Sequence, residues 1–206
     1  MATFGDLRSA LQNTPSVETW AAVCVILEPL KGKKMTVEID SYLTDTLAHQ
    51  WPEDVPRVAP RAWVELASGA MKTPKRWNPN IKYCDALDLR ELQINNKRAA
   101  ALAGSPLLAT IRHLDLTLNE VSRSGFRDLF SSPHLGELRE FVCSENYFSK
   151  GTLADVPLLA THAPRLERFT FEGARYEGLD GYVTELEAAV KALGVEAKIS
   201  TDSGLW

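Results

Sequence analysis

Two polar residues on a predicted strand, His113 and Asp115, are the side chains best placed to do chemistry. They stand two positions apart, so on a strand they share one face, and together with a serine they would form a hydrolytic triad. The surrounding sequence supplies neither a nucleophile turn nor an oxyanion hole. We therefore interpret both residues as solvent-facing polar groups on a sheet.

The chain has no other recognisable catalytic motif. It lacks a phosphate-binding glycine loop, a dinucleotide fingerprint, G-x-S-x-G and H-E-x-x-H. The histidines are scattered, without the spacing of a metal pair: His49, His113, His134 and His162. The cysteines are an odd, widely spaced set that gives neither a disulfide framework nor a C-x-x-C site: Cys24, Cys84 and Cys143. We predict a chain without catalytic residues, metal or cofactor, which is not an enzyme.

The pattern that must position His113 and Asp115 recurs along the chain. The stretch from Ile111 to Val121 reads L-x-x-L-x-L-x-x-N-x-L, with Asn119 at the asparagine position. Its strand core occurs at intervals of 27 or 28 residues: Leu87/Leu89, Leu114/Leu116, Phe141/Cys143, Phe169/Phe171 and Ala197/Ile199. Helix-compatible segments lie between these pairs. Each unit predicts one strand and one helix, and stacked units would bury their apolar faces in a common core.

These units resemble the leucine-rich-repeat family, specifically its ribonuclease-inhibitor-like class. The best match is LDLTLNEVSRSGFRDL, with Asn119 at the asparagine position and Gly125 at the glycine before the helix. The second match is FVCSENYFSKG, with Asn146 and Gly151. The resemblance implies that each asparagine side chain bonds backbone groups where the chain leaves the strand. It covers residues 84 to 202, and the outer units depart from the asparagine position: Leu92, Ala174 and Asp202.

The resemblance implies an α/β fold, a short leucine-rich-repeat solenoid with parallel strands on its concave face and helices on its convex face. We predict this array of four to five units for residues 76–206. Residues 1–75 are predicted to form a helical N-terminal cap, and this segment resembles the helical N-terminal regions of some bacterial proteins with such repeats.

The N-terminal cap carries several local signals. Thr14 and Pro15 predict the N-cap and first residue of an apolar helix, which the sequence KGKK at 31–34 would end. The alternation from Met35 to Ile39 predicts a strand. Pro60 predicts the start of a further helix.

Composition narrows the class of partner. Residues 71–82 combine basic residues with Trp77. This segment could bind a phosphate backbone, or it could be a solvated connector. The net charge of −4 argues against nucleic acid as the partner. The chain shows neither a secretory leader nor an apolar run near the ~18 residues of a membrane span. We predict a cytoplasmic protein that does not contact membranes.

The positions between the strand-core residues point away from the core, because strand side chains alternate. They form a mixed-charge surface with arginines, which suit fixed contacts with carboxylates at protein interfaces. We predict that these residues bind a partner: Asp88, Arg90, Arg112, His113, Asp115, Thr117, Arg139, Glu140, Val142, Arg168, Thr170 and Glu172. The alternative is that they only solvate the sheet, helped by ion pairs each worth less than ~1 kcal/mol.

The family resemblance favours non-catalytic recognition of another protein through the concave face, as an adaptor, inhibitor or antitoxin-like neutraliser. Five short strands give a face of roughly 20 by 17 Å, smaller than the ~800 Å² per partner of a standard interface. A tight partner would also have to contact flanking loops or the N-terminal helices. Two alternatives remain: a structural module that pairs with its own copy, and an unrecognised enzyme with a site between cap and repeats.

Overall fold

A computed structural model describes residues 3–30, 35–173 and 180–200. The KGKK segment and the repeat positions Ala174 and Asp202 lie outside these residues. The N-terminal part begins with four helices: α1 (Phe4–Leu11), α2 (Val17–Leu27), α3 (Val37–Gln50) and the single turn α4 (Arg61–Val64). Two 3-10 helices, Pro74–Arg76 and Pro79–Tyr83, lead into the sheet.

The rest of the described chain alternates strands with helices. The strands are β1 (Ala86–Asp88), β2 (His113–Asp115), β3 (Glu140–Val142), β4 (Arg168–Glu172) and β5 (Glu196–Ser200). Between them lie α5 (Asn96–Ala103), α6 (Arg123–Phe130), α7 (Lys150–Leu153), α8 (Leu159–His162) and α9 (Asp180–Lys191), with 3-10 helices at Pro106–Thr110 and Val156–Leu158. The strands form one parallel sheet in chain order. The predicted α/β class is confirmed.

Strand pairing follows the spacing of the sequence pattern. Leu87 pairs with Leu114, and Phe141 joins the next strand in the same row. The row continues through Phe169 to Ala197. Register neighbours in a parallel sheet point to the same side, so the strand-core residues share one apolar face. Each of the five predicted strands is confirmed.

That apolar face is covered by the connecting helices. The Phe130 ring on α6 lies 6.0 Å from the Phe141 ring and 6.5 Å from the Phe169 ring, centroid to centroid. Phe148 contacts Phe171 at 4.8 Å. The buried cluster runs from the N-terminal helices to the residues just before β5. The boundary at residues 75/76 stays a prediction.

The start of α2 differs from the prediction at Thr14. Ser16 is the N-cap, because its hydroxyl accepts a hydrogen bond from the N–H of Thr19 at 3.1 Å. The backbone carbonyl of Thr14 instead accepts a hydrogen bond from the Thr19 hydroxyl at 2.8 Å. Both residue types can cap a helix, and because Ser16 is the cap, the first helical residue is Val17.

The strand predicted for residues 35 to 39 is wrong. Thr36 caps α3 by accepting a hydrogen bond from the N–H of Ile39 at 3.3 Å, so the helix begins at Val37. The alternating apolar residues are too few to outweigh a good N-cap. The helix predicted after Pro60 forms, but as the single turn α4, since Glu65 is extended.

Asparagine side chains tie the ends of neighbouring strands together, as the resemblance implies. Asn119 is 1% exposed and its Oδ1 accepts the N–H groups of Leu92 and Ile94, at 3.1 and 2.9 Å. Its Nδ2 donates to the carbonyls of Leu89 and Leu116, at 2.9 and 2.8 Å. Asn146 repeats the arrangement one strand later: its Oδ1 accepts the N–H of Val121, and its Nδ2 donates to Leu116, Cys143 and Ser144.

The backbone after four of the strands takes the left-handed conformation at one register position. Glu91, Leu118, Glu145 and Gly173 have φ values of 58°, 57°, 53° and 67°. Each donates its N–H to a carbonyl of the next unit at 3.1 Å, the acceptors being Thr117, Ser144, Glu172 and Ser200. Three of these four positions hold a residue other than glycine, so the hydrogen bonds must offset a strained backbone.

The two predicted repeat glycines lie inside the first turn of their helices, not before them. A Cβ at Gly125 would stand 2.7 Å from Asn96 Oδ1 and 2.9 Å from Val121 Cγ1. The three atoms nearest to a Cβ at Gly151 would all belong to the long, exposed side chain of Arg123.

Gly125→Ala should therefore destabilise the fold by about 1–3 kcal/mol through overpacking, despite the helix propensity of alanine. Gly151→Ala should cost less than about 0.5 kcal/mol, because Arg123 can swing away. Urea unfolding of the two variants makes the comparison. Equal losses would mean that the α5–α6 contact at Gly125 is not close-packed.

Candidate interaction surface

The sheet has a second face, opposite the apolar one, that carries the polar side chains; we call it the polar face. One of its rows runs across the sheet through Ala86, His113, Glu140, Arg168 and Glu196. The next row is Asp88, Asp115, Val142, Thr170 and Lys198. The connecting helices pack on the other side, so these rows reach solvent.

The predicted partner-binding residues that lie on the strands share this face, Thr170 among them. Thr117 and Thr170 are only 9% and 8% exposed, and their contact with a partner stays a prediction. Thr170 lies between Val142 and Lys198 in its row. The Asp115 carboxylate folds over the Thr117 backbone and accepts its N–H at 2.8 Å.

His113 is paired across strands and not with Asp115. Its Nδ1 lies 3.1 Å from Glu140 Oε2, and the other Glu140 oxygen accepts a hydrogen bond from Arg168 Nη1 at 3.1 Å. Arg168 also reaches Glu196 on β5, Nε to Oε2, at 3.4 Å. Burial alone would raise the pKa of Glu140, but the hydrogen bonds with His113 and Arg168 outweigh it and lower that pKa. The result is a line of polar contacts along one row, in which Arg168 forms ion pairs with Glu140 and Glu196.

Asp88 and Asp115 are register neighbours in different environments. Arg90 donates to both oxygens of Asp88, from Nε at 2.9 Å and Nη2 at 2.6 Å, and these hydrogen bonds lower the pKa of Asp88. The nearest cation to Asp115 is Arg90 Nε, at 3.5 Å. Burial therefore raises the pKa of Asp115.

An N-terminal residue that the sequence analysis missed, Glu53, reaches the polar face. Its carboxylate lies 3.1 Å from Arg112 Nη2 and 2.8 Å from Arg139 Nη2. The charges of these two arginines lower the pKa of Glu53. No local pattern could have found the contact, because the partners are 59 and 86 residues away in the chain.

Among the described residues of this surface, carboxylates outnumber cations. Each of the described cationic side chains is already paired with a carboxylate: Arg90, Arg112, Arg139, Arg168 and Lys198. The carboxylates are Glu53, Asp54, Asp88, Asp115, Glu140, Glu167, Glu172 and Glu196. Asp54 is exposed and makes no hydrogen bond or ion pair with the described residues. The surface therefore has an excess of negative charge.

A cavity of about 430 Å³ lies between residues 54–58 and strands β1 to β3. Its polar wall has the carboxylates of Asp54, Asp88, Asp115 and Glu140 together with His113. Its apolar wall includes Val58, Leu114 and Val142. The described residues that line it include no serine, threonine or cysteine, so the hydrolytic triad considered for His113 and Asp115 has no nucleophile here.

The basic segment 71–82 does not expose its aromatic ring. Trp77 is 5% exposed, and its Nε1 donates to the carbonyl of Lys72 at 2.9 Å. Lys72 and Lys82 are engaged with the Ala62 carbonyl and the Asp40 carboxylate. The ring is therefore not available to stack on nucleic-acid bases.

Among residues 3–30, 35–173 and 180–200, no cluster of three or more histidine, cysteine, aspartate or glutamate side chains could hold a metal ion. Within the same ranges, no helix has the length and apolar character needed to cross a membrane.

Comparisons of the chain with protein-family models, with curated proteins and with solved structures find no match in any of the three.

Proposed function

We propose that this chain is a leucine-rich-repeat protein of the ribonuclease-inhibitor-like class, whose polar face binds another protein without catalysis. The observation that carries the proposal is the uncovered polar face. Parallel sheets are usually covered by helices on both faces, and here the connecting helices that the structure describes pack on the opposite, apolar face. The 27- or 28-residue strand register and the buried Asn119 and Asn146 support the family assignment.

The charge on the polar face defines the kind of partner. The sequence suggested that the arginines would grip carboxylates of the partner, but each arginine already has a carboxylate of its own chain. The groups in excess are carboxylates, with Asp54 unpaired among the described residues and Glu167 69% exposed. The partner is therefore a protein with a basic surface, which complements these carboxylates. This chain would bind it as an adaptor, an inhibitor or an antitoxin-like neutraliser.

The test is capture of a partner from the lysate of the native host, with identification by mass spectrometry. The baits are the wild type, the charge-reversed variant Asp54→Lys/Glu167→Lys, and the control Glu185→Lys. Glu185 is exposed on α9, away from the polar face, so Glu185→Lys reverses one charge without altering the site.

We expect the wild type and Glu185→Lys to capture the same basic protein, and Asp54→Lys/Glu167→Lys to lose it. Capture by all three baits would place the binding surface elsewhere. Recovery of nothing except the chain itself, with a dimer in light scattering at micromolar concentration, would favour the structural module that pairs with its own copy.

The enzyme alternative has one specific observation in its favour. The cavity lies between the N-terminal segment and the strands, and it holds two carboxyls, Asp88 and Asp115, whose pKa values are shifted in opposite directions. Such a pair can divide the roles of proton acceptor and donor, as in glycoside hydrolysis. Turnover of chromogenic glycosides by the wild type, lost in Asp115→Asn, would favour this alternative over recognition.

A further inference from the structure

A second cavity adjoins the polar face. It is a groove of about 530 Å³ between α2 and residues 58–63. Val17, Ala21 and Val25 stand one helical turn apart along α2 and form one wall. Val17 and Val25 are 48% and 74% exposed, although the opposite side of α2 is buried. An apolar stripe on the outside of a helix that already packs on the core is a candidate binding surface.

The groove and the polar-face cavity share two residues. Val58 and Asp88 line both, so the apolar groove ends where the carboxylate cavity begins. Val58 is held there by its bridge to Ala86 at the edge of the sheet, and its carbonyl accepts a hydrogen bond from Trp20 Nε1 at 3.0 Å. The two cavities therefore form one continuous surface with an apolar half and an acidic half.

We propose that this surface binds a protein segment in which a basic side chain stands beside apolar ones. The inference rests on the proposed function and specifies the partner's binding segment. An arginine or lysine has an apolar stem and a cationic head, which match the Val58 and Val142 wall and the Asp54 and Asp115 carboxylates. The apolar neighbours of the basic residue occupy the groove along α2.

Interface size supports the use of both cavities. A sheet face of roughly 20 by 17 Å is too small for a standard interface of ~800 Å² per partner. The α2 groove extends the contact beyond the sheet in the direction of the N-terminal helices. Buried apolar area contributes affinity, while the carboxylates select for charge.

Synthetic peptides provide the direct test. The probe acetyl-SLLRLLS-amide has a basic residue flanked by apolar ones and reads nearly the same in both chain directions. One comparison peptide replaces the arginine with citrulline, which keeps the shape and removes the charge. A second comparison peptide replaces the leucines with serine. Binding of fluorescently labelled peptides is followed by anisotropy.

Three variants test the acidic half and the apolar half of the surface separately. Asp115→Asn removes one of the carboxylates of the cavity but keeps an oxygen to accept the Thr117 N–H. Val25→Ser makes the groove polar. Val37→Ser is its matched control, since Val37 is 87% exposed at the start of α3 and lines neither cavity.

We expect the wild type to bind the probe at least about tenfold more tightly than either comparison peptide. Asp115→Asn should lose the preference for arginine over citrulline, and Val25→Ser should lose the preference for leucine over serine. Val37→Ser should behave as the wild type. Equal binding of the three peptides, or equal losses in Val25→Ser and Val37→Ser, would overturn the proposal.

The outcome is separable from that of the proposed function. If a host protein depends on Asp54 and Glu167 but binds Asp115→Asn and Val25→Ser as well as it binds the wild type, the polar face recognises proteins and this inference is wrong. If the peptides show the expected preferences and no host protein is captured, the surface is as inferred and the proposed function fails.

Discussion

Asn119→Ala is expected to lower the free energy of unfolding by about 3–5 kcal/mol, because several buried backbone groups lose their partners at once. The Asn119 amide joins two neighbouring units through hydrogen bonds to Leu92, Ile94, Leu89 and Leu116. Alanine can neither accept nor donate, and the site is too enclosed for water to replace every bond. The midpoint of thermal unfolding should fall by roughly 6–20 °C.

Asn13→Ala is the matched control for this change. Asn13 is exposed and bonds only carbonyls of its own helix, at 3.2 and 3.5 Å. Its loss should cost less than about 0.5 kcal/mol. Urea unfolding followed by tryptophan fluorescence measures both variants. If Asn119→Ala were as stable as Asn13→Ala, the connection between the units would not depend on the asparagine.

Leu116→Ala should cost about 2–5 kcal/mol through the cavity that it leaves in the middle of the sheet. Leu116 is fully buried in the strand-core row that also holds Leu89 and Cys143. Its backbone N–H bonds the carbonyl of Val142, so the neighbouring strand limits how far the site can collapse. Poor collapse places the cost toward the upper end of the range.

The same substitution at Leu66 separates the cavity effect from a general effect of losing a leucine. Leu66 is 38% exposed, just after the single turn of α4, and Leu66→Ala should cost less than about 1 kcal/mol. Thermal unfolding followed by circular dichroism compares the pair. A loss below about 1 kcal/mol for Leu116→Ala would contradict the strand register.

The strands were predictable because their signal repeats. Each strand core places apolar residues at the same two positions, and the structure pairs those positions with each other. The left-handed position after each strand was not predictable, since only Gly173 among the four is a glycine. There the conformation is imposed by the hydrogen bond to the next unit, which a single-sequence pattern does not reveal.

The candidate site was predictable only in part. Alternation along the strands correctly brought Asp88, His113 and Glu140 to one face. The alternation could not show that Glu53 forms ion pairs with Arg112 and Arg139, because these contacts depend on the path of an N-terminal loop. The arginines in the sequence suggested a positively charged binding surface. The described residues of the polar face instead carry an excess of negative charge.

The constant distance between paired strands also bears on how the chain folds. Every strand joins the sheet through a loop of nearly the same length, since its partner lies 27 or 28 residues earlier. The entropic cost of loop closure depends on the logarithm of loop length, so it is nearly the same at each step. What differs between steps is the set of side chains that pack together, and the rings of Phe130, Phe141 and Phe169 meet where β3 joins β4. We expect the nucleus to form at these rings and the sheet to grow from there toward both edges.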